Sequence, residues 1–310
     1  MATVNETVTR GPIDLGTEQA EHQYKIRGFW HNAARHVWHD RLTVAALAVL
    51  LVLTAVSFLG PPIVESALGV DPRTTNILDR FLPPSEEHLL GTDQLGRDQL
   101  IRLLYGGRVS LGIAYTASIM AISIGVVVGI VAGYYGGVVD DLIIWLISTL
   151  ASIPALFLLL IISSVFSPGP EALVLILGFL GWLGAARLVR GEVMAAKERD
   201  YVIAARAVGA KTWHVMFRHI FPNVLSIVVI LLAIDAGILI LTESGLSFLG
   251  LGVQPPTPTW GNMLTDSQTY FTKGPHLVIW PGLMITITVL CFYLVGDGLR
   301  DALDPRSERK

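Results

Sequence analysis

The chain has 310 residues and a formal net charge of −3; 52% of its residues are hydrophobic and only 15% are charged. A soluble domain carries about 25% charged residues, so this composition excludes an ordinary water-soluble globular protein and points to a membrane protein. The single cysteine, Cys291, excludes an internal disulfide and a cysteine-based metal cluster.

Residues 1–41 read as a polar tail and an interfacial segment. No small-residue cleavage site lies near the start, which argues against a secretory signal peptide and leaves the first span to carry the targeting information. Tyr24 to Arg41 (YKIRGFWHNAARHVWHDR) mixes Lys25, Arg27, Arg35 and Arg41 with Phe29, Trp30 and Trp38. That pattern fits an amphipathic helix lying at a membrane interface, and an ordinary basic flank fits it equally. His31, His36 and His39 are read as interfacial histidines, and no metal site is expected.

Apolar runs follow. Leu42 to Gly60, Val109 to Val139, Leu142 to Pro170 and Leu277 to Gly296 contain no Asp, Glu, Lys or Arg. Each meets the roughly 18 to 20 residues that a helix needs to cross the hydrocarbon. Ala172 to Ala186 is short, but Arg187 and Arg190 can snorkel from its end and extend it to about 28 Å. Asn223 to Thr242 is broken only by Asp235. Six spans result, and the chain is expected to be an all-α membrane protein.

With six spans both termini share a side. Of the 22 Lys and Arg, five precede Leu42, seven lie from Arg187 to Arg218 and four lie from Arg300 onward. The excess of cations on that side predicts cytoplasmic termini. Arg73, Arg80, Arg97, Arg102 and Arg108 in the first external loop run against this rule. The expected segments are a tail and interfacial helix over 1–41, a first span over 42–60, an external loop with a short amphipathic helix over 61–108, a five-helix core over 109–298 and a cytoplasmic tail over 299–310. The core includes a cytoplasmic loop at 191–222 and an external loop at 244–276.

Within the spans, Gly125, Gly129 and Gly133 place a small residue on one helix face every fourth position, which allows another helix backbone to approach. A contact between subunits and packing within one bundle both satisfy the pattern. Pro154 should kink the third span and Pro281 the sixth. Asp235 and Glu243, roughly 80° apart around a helix at about 100° per residue, are candidates for pore lining, because an intramembrane carboxylate faces a cavity or a partner.

Enzyme signatures are absent. No Gly-Lys-Ser or Gly-Lys-Thr phosphate loop occurs, nor a His-Glu-x-x-His zinc pattern. "GLSFLG" at 245–250 is not a nucleophile elbow, since its second glycine is one place late.

Two polar segments remain. In "HLLGTDQLGRDQLIRLLYGGRVS", residues 88–110, Thr92 or Asp93 can cap a short helix with a partial leucine stripe. In "YVIAARAVGAKTWHVMFRHIFPN", residues 201–223, Tyr201 to Val208 forms a helix, Gly209 ends it in the left-handed conformation and Lys211 to His219 begins another before Pro222. Ala204, Ala205 and Gly209 lack bulk, so another protein surface can come close.

The segment "AARAVGAKTWHVMFRHIFPN" resembles the EAA loop of ATP-binding-cassette importer permeases. "LGTDQLGRDQLIRLLYGGRVSL", with Gly91, Thr92, Asp93, Gly96, Arg97 and Asp98, is similar to the signature of the dipeptide, oligopeptide and nickel permeases. "SGLSFLGLGVQPPTPTWGNML" and "GDGLRDALDP" resemble that group as well, and the order is collinear over roughly 25–305. The resemblance is strongest to the C-type subunit of a dipeptide or oligopeptide system. It implies a type I importer permease fold and alternating access through a pore shared with a second, homologous permease. Two cytoplasmic ATPases would use ATP and Mg, an external substrate-binding protein would deliver the substrate, and this chain would bind no cofactor and no nucleic acid. Docking would involve Ile203, Ala204, Ala205, Arg206, Gly209 and Lys211, and Ile203 stands where the family usually has glutamate. Nickel chelates or oligosaccharides are the alternative cargo, and a stand-alone secondary transporter or channel is a competing class that needs no docking loop.

Overall fold

The structure is a computed structural model that describes residues 31–68, 75–166, 169–265 and 267–303. Residues 1–30, with the predicted start of the interfacial helix, Arg73, and the end of the tail at 304–310 lie outside the described residues. Among the described residues the regular structure is helical apart from one isolated antiparallel bridge between Thr92 and Asp98.

Helix α1 covers 31–39 and breaks at Asp40. Asp40 caps α2 (Arg41–Leu68): its carboxylate accepts from the backbone N–H of Leu42 and of Thr43, both at 3.2 Å, and from the Thr43 hydroxyl. The Thr43 hydroxyl chiefly, and these two N–H groups, hold the Asp40 carboxyl below the usual carboxylate range. α2 does not stop at Gly60 as predicted but continues through Pro61 and Pro62. The prolines remove two donors, while the turns beyond them persist and Glu65 accepts from the Tyr105 hydroxyl at 2.5 Å.

Helix α3 (Gln99–Tyr135) has 37 residues, about 55 Å at about 1.5 Å per residue. It absorbs the short amphipathic helix expected in the first loop, so that helix and the second span are one element. Its cap is Asp98, whose side chain accepts from Ile101 N–H at 3.1 Å, and not Thr92 or Asp93 as expected. The third span is two helices, α4 (Gly137–Ala151) and α5 (Ala155–Phe166), bent by 71° at the break. Pro154 produces a break rather than the kink expected, because the chain leaves the helix from Ser152 to Pro154.

After α6 (Pro170–Lys197) come the short α7 (Asp200–Ala207) and α8 (Thr212–Phe248). The second loop helix is not separate from the fifth span: it enters α8 directly through a π-helical stretch, Val215–Ile220, which ends just before Pro222. A four-residue helix α9 (Ser267–Tyr270) precedes α10 (His276–Leu303). α10 runs unbroken across Pro281 and past residue 298, into the predicted tail.

Pairwise packing fixes the topology. A Cβ on Gly125 would lie 2.6 Å from Ala185 Cβ, one on Gly129 would lie 2.7 Å from the Ala186 carbonyl oxygen and 2.8 Å from Val189 Cβ, and one on Gly133 would lie 2.8 Å from both the Arg190 carbonyl and Val193 Cβ. Both number series rise together, so α3 and α6 run parallel, and the intervening α4–α5 must return across the bundle. α8 and α10 run antiparallel, with Gly237 against Phe292 and Gly296 against Ile234. α2 and α3 do the same, with Gly60 against Leu104 and Thr54 bonded to Tyr115 at 2.8 Å. Six traverses result, five by single helices and one by the bent pair. Thr43 meets Gly298 at the end of the bundle that also holds α7, so both described chain ends lie at the α7 end and the signature at 88–110 lies at the other.

The glycine stripe of α3 is therefore an intrachain seam. Replacing Gly129 by valine should destabilise the solubilised protein by about 1–3 kcal/mol, since the added Cβ already strikes the Ala186 carbonyl and the stiff, β-branched Val189 side chain. Gly184, whose added Cβ would meet nothing within 4 Å, should accept alanine without loss. Thermal unfolding of the two variants in detergent checks the pair.

Candidate functional site

The docking-loop residues sit on α7 and its cap. α7 closes in a paired turn: Gly209 N–H donates to Arg206 O at 2.9 Å and Ala210 N–H to Ala205 O at 3.0 Å. Gly209 takes φ +84°, a conformation that a side chain disfavours, and this geometry ends a helix while satisfying its last carbonyls. Of α7 only Val202 is fully buried, packing with Val193, Ala196, Val215 and Met216. Around that one anchor Ile203, Ala204, Arg206, Val208, Gly209 and Lys211 are exposed and Ala205 is half-buried.

The predicted docking residues lie on α7 and the turn after it, and three exposed apolar residues that sequence reasoning did not single out share this segment. Val208, Trp213 and Phe217 are 74%, 68% and 51% exposed, and the two aromatic rings meet at a tilt of 49° with centroids 4.4 Å apart. Their four-residue spacing on a basic loop was the available signal. The loop is tied to the bundle at its base. Arg206 lies over the Tyr134 ring at 5.0 Å, and Lys197 Nζ donates to the Tyr134 carbonyl at 3.3 Å. Arg190 grips Asp140 with two bonds of 2.5 and 2.6 Å.

The two candidate pore carboxylates are not brought together. Glu243 is fully buried inside the single chain, so it offers no surface to a pore, contrary to expectation. It accepts from the Ser110 hydroxyl at 2.9 Å and the Ser247 hydroxyl at 2.7 Å. Those serines in turn accept from backbone N–H groups of the 249–265 loop, Ser110 from Trp260 at 3.2 Å and Ser247 from Val253 at 3.3 Å. Trp260 Nε1 donates to Leu103 O at 3.0 Å. Glu243 therefore clamps this loop onto α3 and α8. Asp235 is half-buried, and its Oδ2 has no hydrogen-bond partner within the chain.

The signature residues form a second buried knot. Asp93 Oδ1 accepts from Leu95 N–H at 2.8 Å and Arg97 N–H at 3.0 Å, while its Oδ2 takes Arg97 Nε at 2.7 Å and Arg102 Nε at 3.3 Å. Asp98 meets His88 Nδ1 at 2.9 Å. Thr92 accepts from Leu82 N–H at 2.9 Å and donates to Asp79 O, and its own carbonyl meets His276 Nε2 at 3.1 Å. Gly91 and Gly96 take φ +80° and +72°, and a Cβ on either would strike backbone, Leu82 O and Asn76 O respectively. The knot thus joins the 75–98 loop to the starts of α3 and α10. Among the described residues no group of three or more His, Cys, Asp or Glu is placed to hold a metal.

The family described as binding-protein-dependent transport system inner membrane component matches residues 125–309. The chain belongs to that family. Among its relatives, the oligopeptide transport system permease protein OppC of Escherichia coli (strain K12) is 36% identical over 280 residues, 90% of this chain and 92% of that protein. OppC of Bacillus subtilis (strain 168) is 34% identical over 282 residues, 91% of each chain. The dipeptide transport system permease protein DppC of the same organism is also 34% identical, over 91% of this chain and 87% of its own. This permease is a multi-pass protein of the prokaryotic plasma membrane, and its relatives are transport permease subunits.

The clamp of this permease has a direct test. Glu243→Ala strands two serine hydroxyls and should destabilise the fold by about 1–3 kcal/mol. Hydrogen exchange of residues 249–265 should speed up while exchange in α7 stays unchanged; equal protection of the loop in both proteins would remove the clamp.

Proposed function

We propose that this chain is one of two permease subunits of an ATP-binding-cassette importer that moves oligopeptides or dipeptides into the cell. The observation that carries the reading is the α7 loop. Val202 is the one fully buried residue of α7, the exposed apolar and basic residues around it suit a protein contact, and the loop stands at the end of α3 and α6, which run the length of the bundle. Relatives named for oligopeptide and dipeptide transport cover nine-tenths of the chain and favour peptide cargo over nickel chelates or oligosaccharides.

In this reading the α7 end is cytoplasmic, in keeping with the cations from Arg187 to Arg218. A cytoplasmic ATPase receives Ile203, Ala204, Val208 and Trp213 in an apolar contact, with Arg206 and Lys211 at its edge. Ile203, half exposed, supplies apolar area where the family's glutamate would supply charge. A second ATPase serves the homologous permease, and ATP and Mg are bound by those partners alone. Closure of the ATPases moves the loops and switches the pore between outward-facing and inward-facing states, and an external binding protein delivers the peptide. Asp235, half-buried on α8, is the residue assigned to the pore wall.

Gly209→Asp tests the reading. It should leave the protein in the membrane, distort the helix end that α7 presents, and abolish peptide uptake while the ATPases continue to hydrolyse ATP. The measurement is uptake and hydrolysis in the same proteoliposomes; wild-type uptake at equal expression would contradict the assignment.

A further inference from the structure

The start of α7 meets the entry to α8 through both apolar and polar contacts. Val202 packs with Val215 and Met216, and the Tyr201 ring meets the His219 ring with centroids 6.1 Å apart. Contacts of this kind are non-directional and let one helix slide on another. The polar contact is made by one side chain, Asn223, in the turn of α8 that follows its π-helical stretch. Asn223 Nδ2 donates to the Tyr201 hydroxyl at 2.9 Å and to the His219 carbonyl at 2.6 Å, and Oδ1 accepts from Arg199 Nη1 at 3.4 Å. Tyr201 lies in the first turn of α7 and Arg199 immediately precedes it. A single planar amide thus bonds α7 on one side and the backbone of α8 on the other, and its donors point in fixed directions, so it holds one register where the apolar contacts do not.

Its place in α8 gives the amide leverage. Pro222 offers no N–H to the turn before it, and Phe221 N–H reaches back five residues to Met216 O, so the helix is widened immediately ahead of Asn223. Such π-helical turns are rare and recur at functional sites. Asn223 closes this one from the side by taking the His219 carbonyl. Beyond it α8 runs unbroken through Asp235 to Phe248, and Glu243 clamps its far end. Arg206 and Tyr134 tie α7 to α3; Asn223 adds a tie from α7 to α8.

We propose that Asn223 is the positioning residue that makes α8 follow the docking helix: it holds the start of α7 and the entry to the fifth span as one joint, so that displacement of α7 carries α8 with it. The assignment rests on the importer reading above and adds to it the joint through which movement of the ATPase enters the helix that bears Asp235.

The test uses the whole complex in proteoliposomes, with trialanine uptake and ATP hydrolysis measured together. Tyr201→Phe keeps the ring against His219 and removes the hydroxyl, which opens the joint on the α7 side. Asn223→Asp keeps an acceptor for Tyr201 and Arg199 but sets a carboxylate against the His219 carbonyl, which opens it on the α8 side. Each should lower the trialanine carried per ATP about fivefold while hydrolysis continues. The double variant should lose no more than either single one, because the first break already opens a joint in series. Uptake and hydrolysis falling in equal proportion would overturn the proposal, since the residues would then serve folding or assembly. A double loss equal to the product of the single losses would overturn it too. A wild type that hydrolyses ATP without carrying trialanine would remove the importer reading and the joint with it; a coupled wild type whose variants keep its ratio would fault the joint alone.

Discussion

The rest of the structure depends on the parallel seam between α3 and α6. Lipid provides no hydrophobic drive for two helices to meet, so association depends on close packing. Gly125, Gly129 and Gly133 let the Trp182, Ala186 and Arg190 carbonyls approach to distances that a Cβ would forbid. Because the seam is parallel, α4 and α5 must cross back between its two strands of chain, and Pro154 supplies the bend that lets them. The seam also joins the two ends of the molecule: α3 begins in the signature knot, and Tyr134 in its last turn is the residue against which α7 is braced.

At the signature end, polar groups do what apolar packing does elsewhere. Glu243 gathers donors from segments far apart in the chain and Asp93 from its own turn and the start of α3, and each is almost fully buried. Buried carboxylates are tolerable only when their oxygens are bonded, and here those bonds fix the 249–265 loop and the 75–98 loop to the helices. At the α7 end the balance reverses, with a single apolar anchor and an exposed surface that the chain itself leaves uncovered. The contrast separates an end that is locked internally from one whose surface the chain leaves exposed.

Much of this was legible in the sequence. The apolar runs located six traverses, the glycine spacing marked a close-packed face, and Gly209 marked the end of α7. What escaped was long-range pairing. Hydropathy ends a span at the first charge, yet α3 begins at Gln99 and buries Arg102, because Asp93 neutralises it. Glu243 reads as a pore carboxylate until Ser110, 133 residues away, is seen to bond it. Residue spacing reveals what one helix face offers, while the partner across the seam is fixed only by the fold. Trp213 and Phe217 were missed for a different reason: a basic, π-helical entry to α8 hides their shared exposure behind the apolar span that follows.

In the proposed importer, α3 and α6 form one stiff body that carries motion of the docking loop to the signature end. The direct measurement is a spin-label distance within this chain, between cysteines placed at exposed Leu89 and exposed Lys211 in a Cys291→Ser background, taken in the assembled complex with and without trapped ATP. The account predicts the same distance distribution in both states, with change confined to distances between the two permeases. A shift of the intrachain distance on ATP binding would contradict it.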